Sequence, residues 1–180
     1  MYSEYAAKNY NKDDLEFCDE ILGKVSRSFA SVIRQLPPEV AVDAMVFYLV
    51  LRALDTVEDD MTAFKNVSEK TGYLLQFHKT ALVDPKWTLD GVGEADEKRL
   101  LQNFDKCHRV YAALKPESRV IIEDITRRMA EGMAEFVDKV SNFISAQLIL
   151  IIDFNICSKF FALSCLLKGS WPRDSGSRAI

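Results

Sequence analysis

Three carboxylates, Asp55, Glu58 and Asp59, sit close together in a stretch of chain that is otherwise apolar. Apolar residues at 46, 47, 49, 50, 51, 53, 54 and 57 go most of the way round a helical cylinder, the pattern of a helix buried on nearly all sides. The exceptions form one stripe. Tyr48, Arg52, Asp55 and Asp59 recur at steps of four, three and four, so their side chains stack along a single face, with Glu58 one step off it. A polar stripe on a buried helix needs a polar ligand, and this face is expected to line a cavity. The D-x-x-E-D spacing brings carboxylate oxygens together within about one turn, which suits Mg2+, a hard ion that favours octahedral oxygen coordination and keeps some of its waters. Carboxylates repel a diphosphate directly, so an acid-lined pocket takes such a ligand only when divalent ions bridge the two. Arg52 adds a permanent cation whose planar fork of donors matches phosphate oxygens without any metal.

The same residues also fit a plainer account. Glu58, Asp59 and Asp60 would then mark the helix leaving the core for solvent, and Arg52 would pair with Asp55 as a structural ion pair. A D-x-x-E-D match is a weak pattern, and spacing leaves both accounts open.

Punctuation along the chain defines the elements that must carry this stripe. A first helix is expected from about Asp13, a plausible N-cap, to Gln35, where Pro37-Pro38 ends it and opens the next. The second, over about 39 to 61, holds the acidic motif. A third covers about 67 to 82, followed by a loop through Asp84-Pro85 and Gly91 to Gly93, and a fourth runs from Glu94 to Leu114. Pro116 opens a fifth, whose apolar residues at 121, 122, 125, 129, 133, 136 and 137 keep to one side until about Val140. In that helix Glu123, Asp124, Arg127 and Arg128 read most simply as surface or rim ion pairs, and Glu131 and Glu135, beside Met133 and Phe136, form another candidate acidic pair. No strand pattern, internal repeat or low-complexity segment competes, so the expected class is all-α.

Composition bounds the function. The 180 residues carry 48% hydrophobic residues, enough for a core, and a net charge of -4, which offers no basic footprint for nucleic acid. Cys18, Cys107, Cys157 and Cys165 show no C-x-x-C spacing, and with only His78 and His108 beside them a zinc site has little support. Reduced, mostly buried thiols are expected. Residues 1 to 14 are polar and lack the apolar core of a signal peptide, which predicts a main domain facing the cytosol and leaves the sequon Asn66-Val67-Ser68 without consequence.

Three blocks together carry a family resemblance. Ser26-Arg27-Ser28-Phe29, the stretch from Phe47 to Asp60, and Arg127-Arg128-Met129-Ala130-Glu131-Gly132-Met133-Ala134-Glu135-Phe136 resemble squalene synthases, in matching order and at suitable separations. The resemblance covers roughly residues 14 to 139. It favours squalene synthase over the related phytoene synthase, which usually carries D-E-L-V-D where this chain has Asp55-Thr56-Val57-Glu58-Asp59. It implies a truncated isoprenoid-synthase-like helical bundle of about five helices with a divergent apolar C-terminal helix. It implies a farnesyl-diphosphate farnesyltransferase that joins two farnesyl diphosphates head to head into presqualene diphosphate and reduces this with NADPH to squalene, with Mg2+ holding the diphosphates. By the same resemblance Asp55, Glu58 and Asp59 would be metal ligands, Arg27 and Arg52 would contact diphosphate or the NADPH phosphates, and Ser26, Ser28, Phe29 and Tyr48 would line the pocket, with Tyr48 and Arg52 nearest the chemistry. A monomer on the cytosolic face of the endoplasmic reticulum membrane is the family expectation.

The family pattern also includes a second aspartate-rich motif on a later helix and, between the two motifs, a tyrosine important in the first half-reaction. The last tyrosine here is Tyr111, and after Asp138 only Asp153 and Asp174 remain. Half of the metal site is therefore expected to be missing, which predicts a chain that at most binds Mg2+ and one prenyl diphosphate, or associates with membrane or partner helices. The likeness ends after Lys139, and Val140-Ser141 fits the codons GTAAGT, the consensus start of an intron. The expected organisation is a polar segment over 1 to 13, a synthase-like domain over 14 to 139, and a hydrophobic tail over 140 to 180 derived from translated intron or a frame-shifted exon. A genomic sequence with coding homology unbroken past the Lys139 codon would remove that origin. The tail is strongly apolar from Phe143 to Leu167 but interrupted by Asp153, Asn155 and Lys159, which makes membrane spanning marginal; without insertion, it is expected either to pack against helices left open by the missing half or to expose an apolar patch that leaves a cytosolic chain prone to aggregate.

Overall fold

A computed structural model of the chain describes residues 9–140, and all the regular elements among them are helices. They are α1 (Lys12–Val25), α2 (Arg27–Ile33), α3 (Pro38–Asp59), α4 (Val67–Thr80), α5 (Ala95–Gln102), α6 (Phe104–Ala112) and α7 (Pro116–Val140). The hydrophobic tail, Cys157, Cys165 and the first eight residues lie outside the described residues. Among those described, no helix is long and apolar enough to cross a membrane.

Two of the expected helices are each divided in two by a local hydrogen-bonding residue. The stretch expected as one helix from 13 to 35 breaks at Ser26, whose backbone is extended (φ -157°, ψ 99°). Its N–H donates to the Leu22 carbonyl at 2.9 Å, closing α1, while its Oγ accepts from the Phe29 N–H at 3.4 Å, opening α2. The start of α1 is capped by Asn11 rather than by Asp13, its Oδ1 accepting from the N–H groups of Asp13 (2.9 Å) and Asp14 (3.2 Å). The stretch from 94 to 114 breaks at Asn103 (φ -122°, ψ 28°), whose side-chain amide donates back to the Arg99 carbonyl at 3.0 Å.

The central element is α3. Pro37 sits in extended backbone and Pro38 takes the first helical position, where a missing N–H costs nothing. Of its 22 residues 17 are buried, and it packs against each of the other six described helices, which is what an apolar pattern running round the whole cylinder requires. Polar contacts register the surrounding helices. Ser118 on α7 donates to the buried Asp43 carboxylate on α3 at 2.7 Å, and burial pushes Asp43 upward while that bond pulls it back. Arg109 on α6 grips the buried Asp14 of α1 with two bonds of 2.7 and 2.8 Å. Phe77, Trp87 and Phe104 meet edge to face, with centroids 5.2 to 5.9 Å apart, and close the core between α4 and α6.

Cys18 and Cys107 are free thiols, both buried, with their sulfurs 3.6 Å apart. On α7, Asp124 pairs with Arg127 and Arg128, and Arg127 with Glu131, all exposed pairs that contribute little each.

Candidate functional site

The last two turns of α3 carry the acids. Asp55 and Glu58 are buried, 7% and 8% exposed, and Asp59 is exposed. One oxygen from each of the three lies within 4.8 Å of the others. Ligands opposed across an octahedral Mg2+ are about 4 Å apart, so small side-chain rotations close the set around such an ion. Among the described residues this is the one cluster so arranged. The donor set, three hard oxygens of which two belong to buried side chains, fits magnesium.

Electrostatics give the same cluster its character. The acids stand at the C-terminal end of a helix, the negative end of its dipole, where further negative charge is unfavourable. Burial, the charge and hydrogen bond of Asp59, and the charge of Asp55 together push Glu58 up to about 7, with Lys70 pulling the other way. Lys70, on α4, is buried, and its ammonium donates to the Glu58 carbonyl at 2.7 Å. A divalent ion would reverse the repulsion that raises Glu58.

Arg52 stands one turn back along the stripe. Its Nη2 donates to the Tyr48 hydroxyl at 2.9 Å, its Nη1 donates to Asp55 Oδ2 at 2.9 Å, and Nη1 lies 3.7 Å from Glu97 Oε1 on α5. Burial works against its charge, but the Tyr48 hydrogen bond and the charges of Asp55 and Glu97 outweigh that and hold it firmly protonated. The Arg52–Asp55 ion pair of the plainer account is therefore real, and it coexists with the converging oxygens.

The Ser26-to-Phe29 block reaches this stripe through Phe29. The Phe29 ring stacks against Tyr48, with centroids 5.0 Å apart and planes tilted by 34°. Ser26 is half-buried and its Oγ is used as the cap of α2. Arg27 and Ser28 are exposed, and among the described residues neither hydrogen-bonds nor ion-pairs with the acids.

A loop closes the far side. Asp60 accepts from the N–H groups of Thr62 (2.8 Å), Ala63 (2.9 Å) and Gly93 (2.7 Å) and from the Thr62 hydroxyl. Burial alone would raise its pKa, but these bonds reverse that and hold it at about 2. Gly93 has φ +74°, and a Cβ there would collide with the Thr56 methyl, so only glycine lets the loop lie this close to α3. Sequence reasoning missed Lys70, Glu97 and Gly93 as neighbours of the site, because each reaches it through tertiary packing that no local spacing encodes.

Fold and site place the chain in the class of all-α, isoprenoid-synthase-like helical bundles. Residues 22–148 match the family model described as squalene/phytoene synthase, a segment that runs past Lys139, and the chain belongs to that family. It is 44% identical over 131 residues to the squalene synthase of Candida albicans, covering 72% of this chain and 29% of that protein. It is 44% identical over 140 residues to the lycopaoctaene synthase of Botryococcus braunii, covering 77% and 31% of the two chains. A solved complex of TcSQS with a ligand superposes with a TM-score of 0.67 at 45% identity, over 71% of this chain and 36% of that one. The chain thus spans about 30% of the length of these curated relatives.

Proposed function

We propose that the described residues form a metal- and diphosphate-binding half-site of squalene-synthase type. The whole reaction would condense two farnesyl diphosphates head to head into presqualene diphosphate and reduce that with NADPH. The observation that carries the reading is the convergence of Asp55, Glu58 and Asp59 within 4.8 Å, next to an arginine already oriented by Tyr48. Mg2+, when bound, supplies the positive charge that bridges these acids to a diphosphate and neutralises it as it leaves.

The chain's own residues do the rest. Asp55, Glu58 and Asp59 would hold the ion at the C-terminal end of α3, while Tyr48 and Asp55 fix the guanidinium plane of Arg52 so that no rotamer search is needed when a phosphate arrives. The stacked rings of Phe29 and Tyr48 offer an apolar wall for the prenyl chain. Arg27, exposed at the first turn of α2, is available to a phosphate of either farnesyl diphosphate or NADPH. NADPH and a location on the cytosolic face of the endoplasmic reticulum are proposed on family resemblance.

A second reading keeps the binding and drops the turnover, because among the described residues a single acidic cluster converges. Incubating the chain with farnesyl diphosphate, Mg2+ and NADPH separates the two, since squalene above background refutes the second. The binding reading has its own test. Asp55→Ala combined with Asp59→Ala should abolish Mg2+-dependent affinity for a farnesyl diphosphate analogue, and unchanged affinity would return the acids to a structural role.

A further inference from the structure

Among the described residues Lys70 is the only buried lysine, 7% exposed. It projects from α4 to the last turn of α3, where its Nζ donates to the Glu58 carbonyl at 2.7 Å. Its other neighbours are soft: Met61 Sδ at 3.7 Å and the Phe64 ring, whose centroid is 6.0 Å away. The Glu58 carbonyl is one of the terminal carbonyls that a helix leaves without an internal donor, so a lysine there makes sense as a cap. A cap does not explain the burial. Sinking a full positive charge against one strong acceptor is costly unless negative charge compensates it nearby. Burial pulls Lys70 down, and the carboxylates of Glu58, Asp60 and Asp59 oppose that in part, each attracting the ammonium. Two of those three belong to the converging set of oxygens.

We infer that Lys70 is a resident cation of the metal centre, a positioning residue that holds the acidic turn of α3 assembled before a divalent ion arrives and lowers the affinity for that ion by its own charge. The inference rests on the reading of Asp55, Glu58 and Asp59 as metal ligands. Its physical content is that ammonium and metal draw on two of the same carboxylates, Glu58 and Asp59. With Lys70 in place the acids are partly neutralised and the turn is ordered, while the incoming ion meets a like charge behind its ligands. A simple cap would behave differently, because its loss loosens the turn and leaves metal binding weaker or unchanged.

Calorimetric titration of the whole chain with Mg2+ or Mn2+ alone distinguishes the two. Lys70→Met, which keeps length and removes charge, should bind either ion roughly tenfold more tightly than the wild type. Its melting temperature should be lower without metal, and the rise on adding metal larger. Lys70→Arg, which keeps the charge, should stay within about twofold of wild-type affinity, since a retained cation screens the ligands in the same way. If Lys70→Met and Lys70→Gln fail to fold in chelator, adding Mn2+ should restore their helical signal, because the ion replaces the missing charge. Unchanged or weaker binding by a folded Lys70→Met, or no recovery of an unfolded one, overturns the inference while leaving the metal site standing. No binding by the wild type overturns the metal-ligand reading itself, and this inference with it.

Discussion

Glu58 is where the cost of gathering three acids at one helix end is concentrated. Its carboxyl, buried beside Asp59 and Asp55, is pushed up to about 7 in the folded chain, against about 4.5 for a free glutamate. The folded state therefore binds the proton more tightly than the unfolded one. Stability from this group is fully present below about pH 4.5 and is lost as pH rises through about 7, by up to about 3 kcal/mol. His78 and His108, held neutral by burial, titrate the opposite way, so the effect is best read as a difference. Glu58→Gln should match the wild type in stability near pH 4.5 in chelator and become progressively more stable than it up to pH 8, by urea denaturation. Saturating Mg2+ should cancel or reverse that gap, because the ion stabilises the ionised wild-type carboxylate and not the amide. A gap independent of pH would mean that Glu58 is ionised at no cost in the fold.

Elements place these residues by means that the sequence shows unevenly. The burial of α3 was legible because its apolar residues surround the cylinder, and so was the face shared by Tyr48, Arg52 and Asp55, because helical spacing alone aligns them. The breaks at Ser26 and Asn103 were not, because a single side-chain bond to the backbone decides each and leaves no trace in the periodicity. The loop after α4 was legible as a loop, while its approach to α3 was not. Gly91 and Gly93 both have positive φ, but a Cβ at Gly91 meets open space and one at Gly93 meets Thr56. Gly91→Ala should therefore cost about 1 kcal/mol, from backbone strain alone. Gly93→Ala should cost more, about 2 to 3 kcal/mol, since it adds a clash and disturbs the bond to Asp60. Gly93→Ala should also weaken Mg2+ binding, because Asp60 directly follows the proposed ligand Asp59. Equal costs at the two glycines, measured by chemical denaturation, would show that the loop yields freely and does not brace the site.

At the scale of the whole chain, the proposed function raises the question of how many diphosphates are held. A head-to-head condensation brings two of them together, and each leaving diphosphate carries charge that carboxylate-bound metal must neutralise for the bond to break. The described residues present one converging acidic cluster and one arginine locked beside it by a tyrosine and an acid. The exposed pairs on α7 that join Arg127 to Asp124 and Glu131 are internally satisfied and add no second cluster. One prenyl diphosphate held by the described residues is the expected stoichiometry. Titrating the full chain with a non-hydrolysable farnesyl diphosphate analogue in Mg2+ should give a single class of sites near one equivalent, lost in the Asp55→Ala, Asp59→Ala variant. Arg52→Gln should retain metal binding but lose diphosphate affinity by about tenfold or more, since a charge-assisted hydrogen-bond pair to phosphate is removed while the ligands stay. Two equivalents, with only one of them lost in the double variant, would show that residues beyond 9–140 provide a second diphosphate site. The half-site would then be one member of a complete pair.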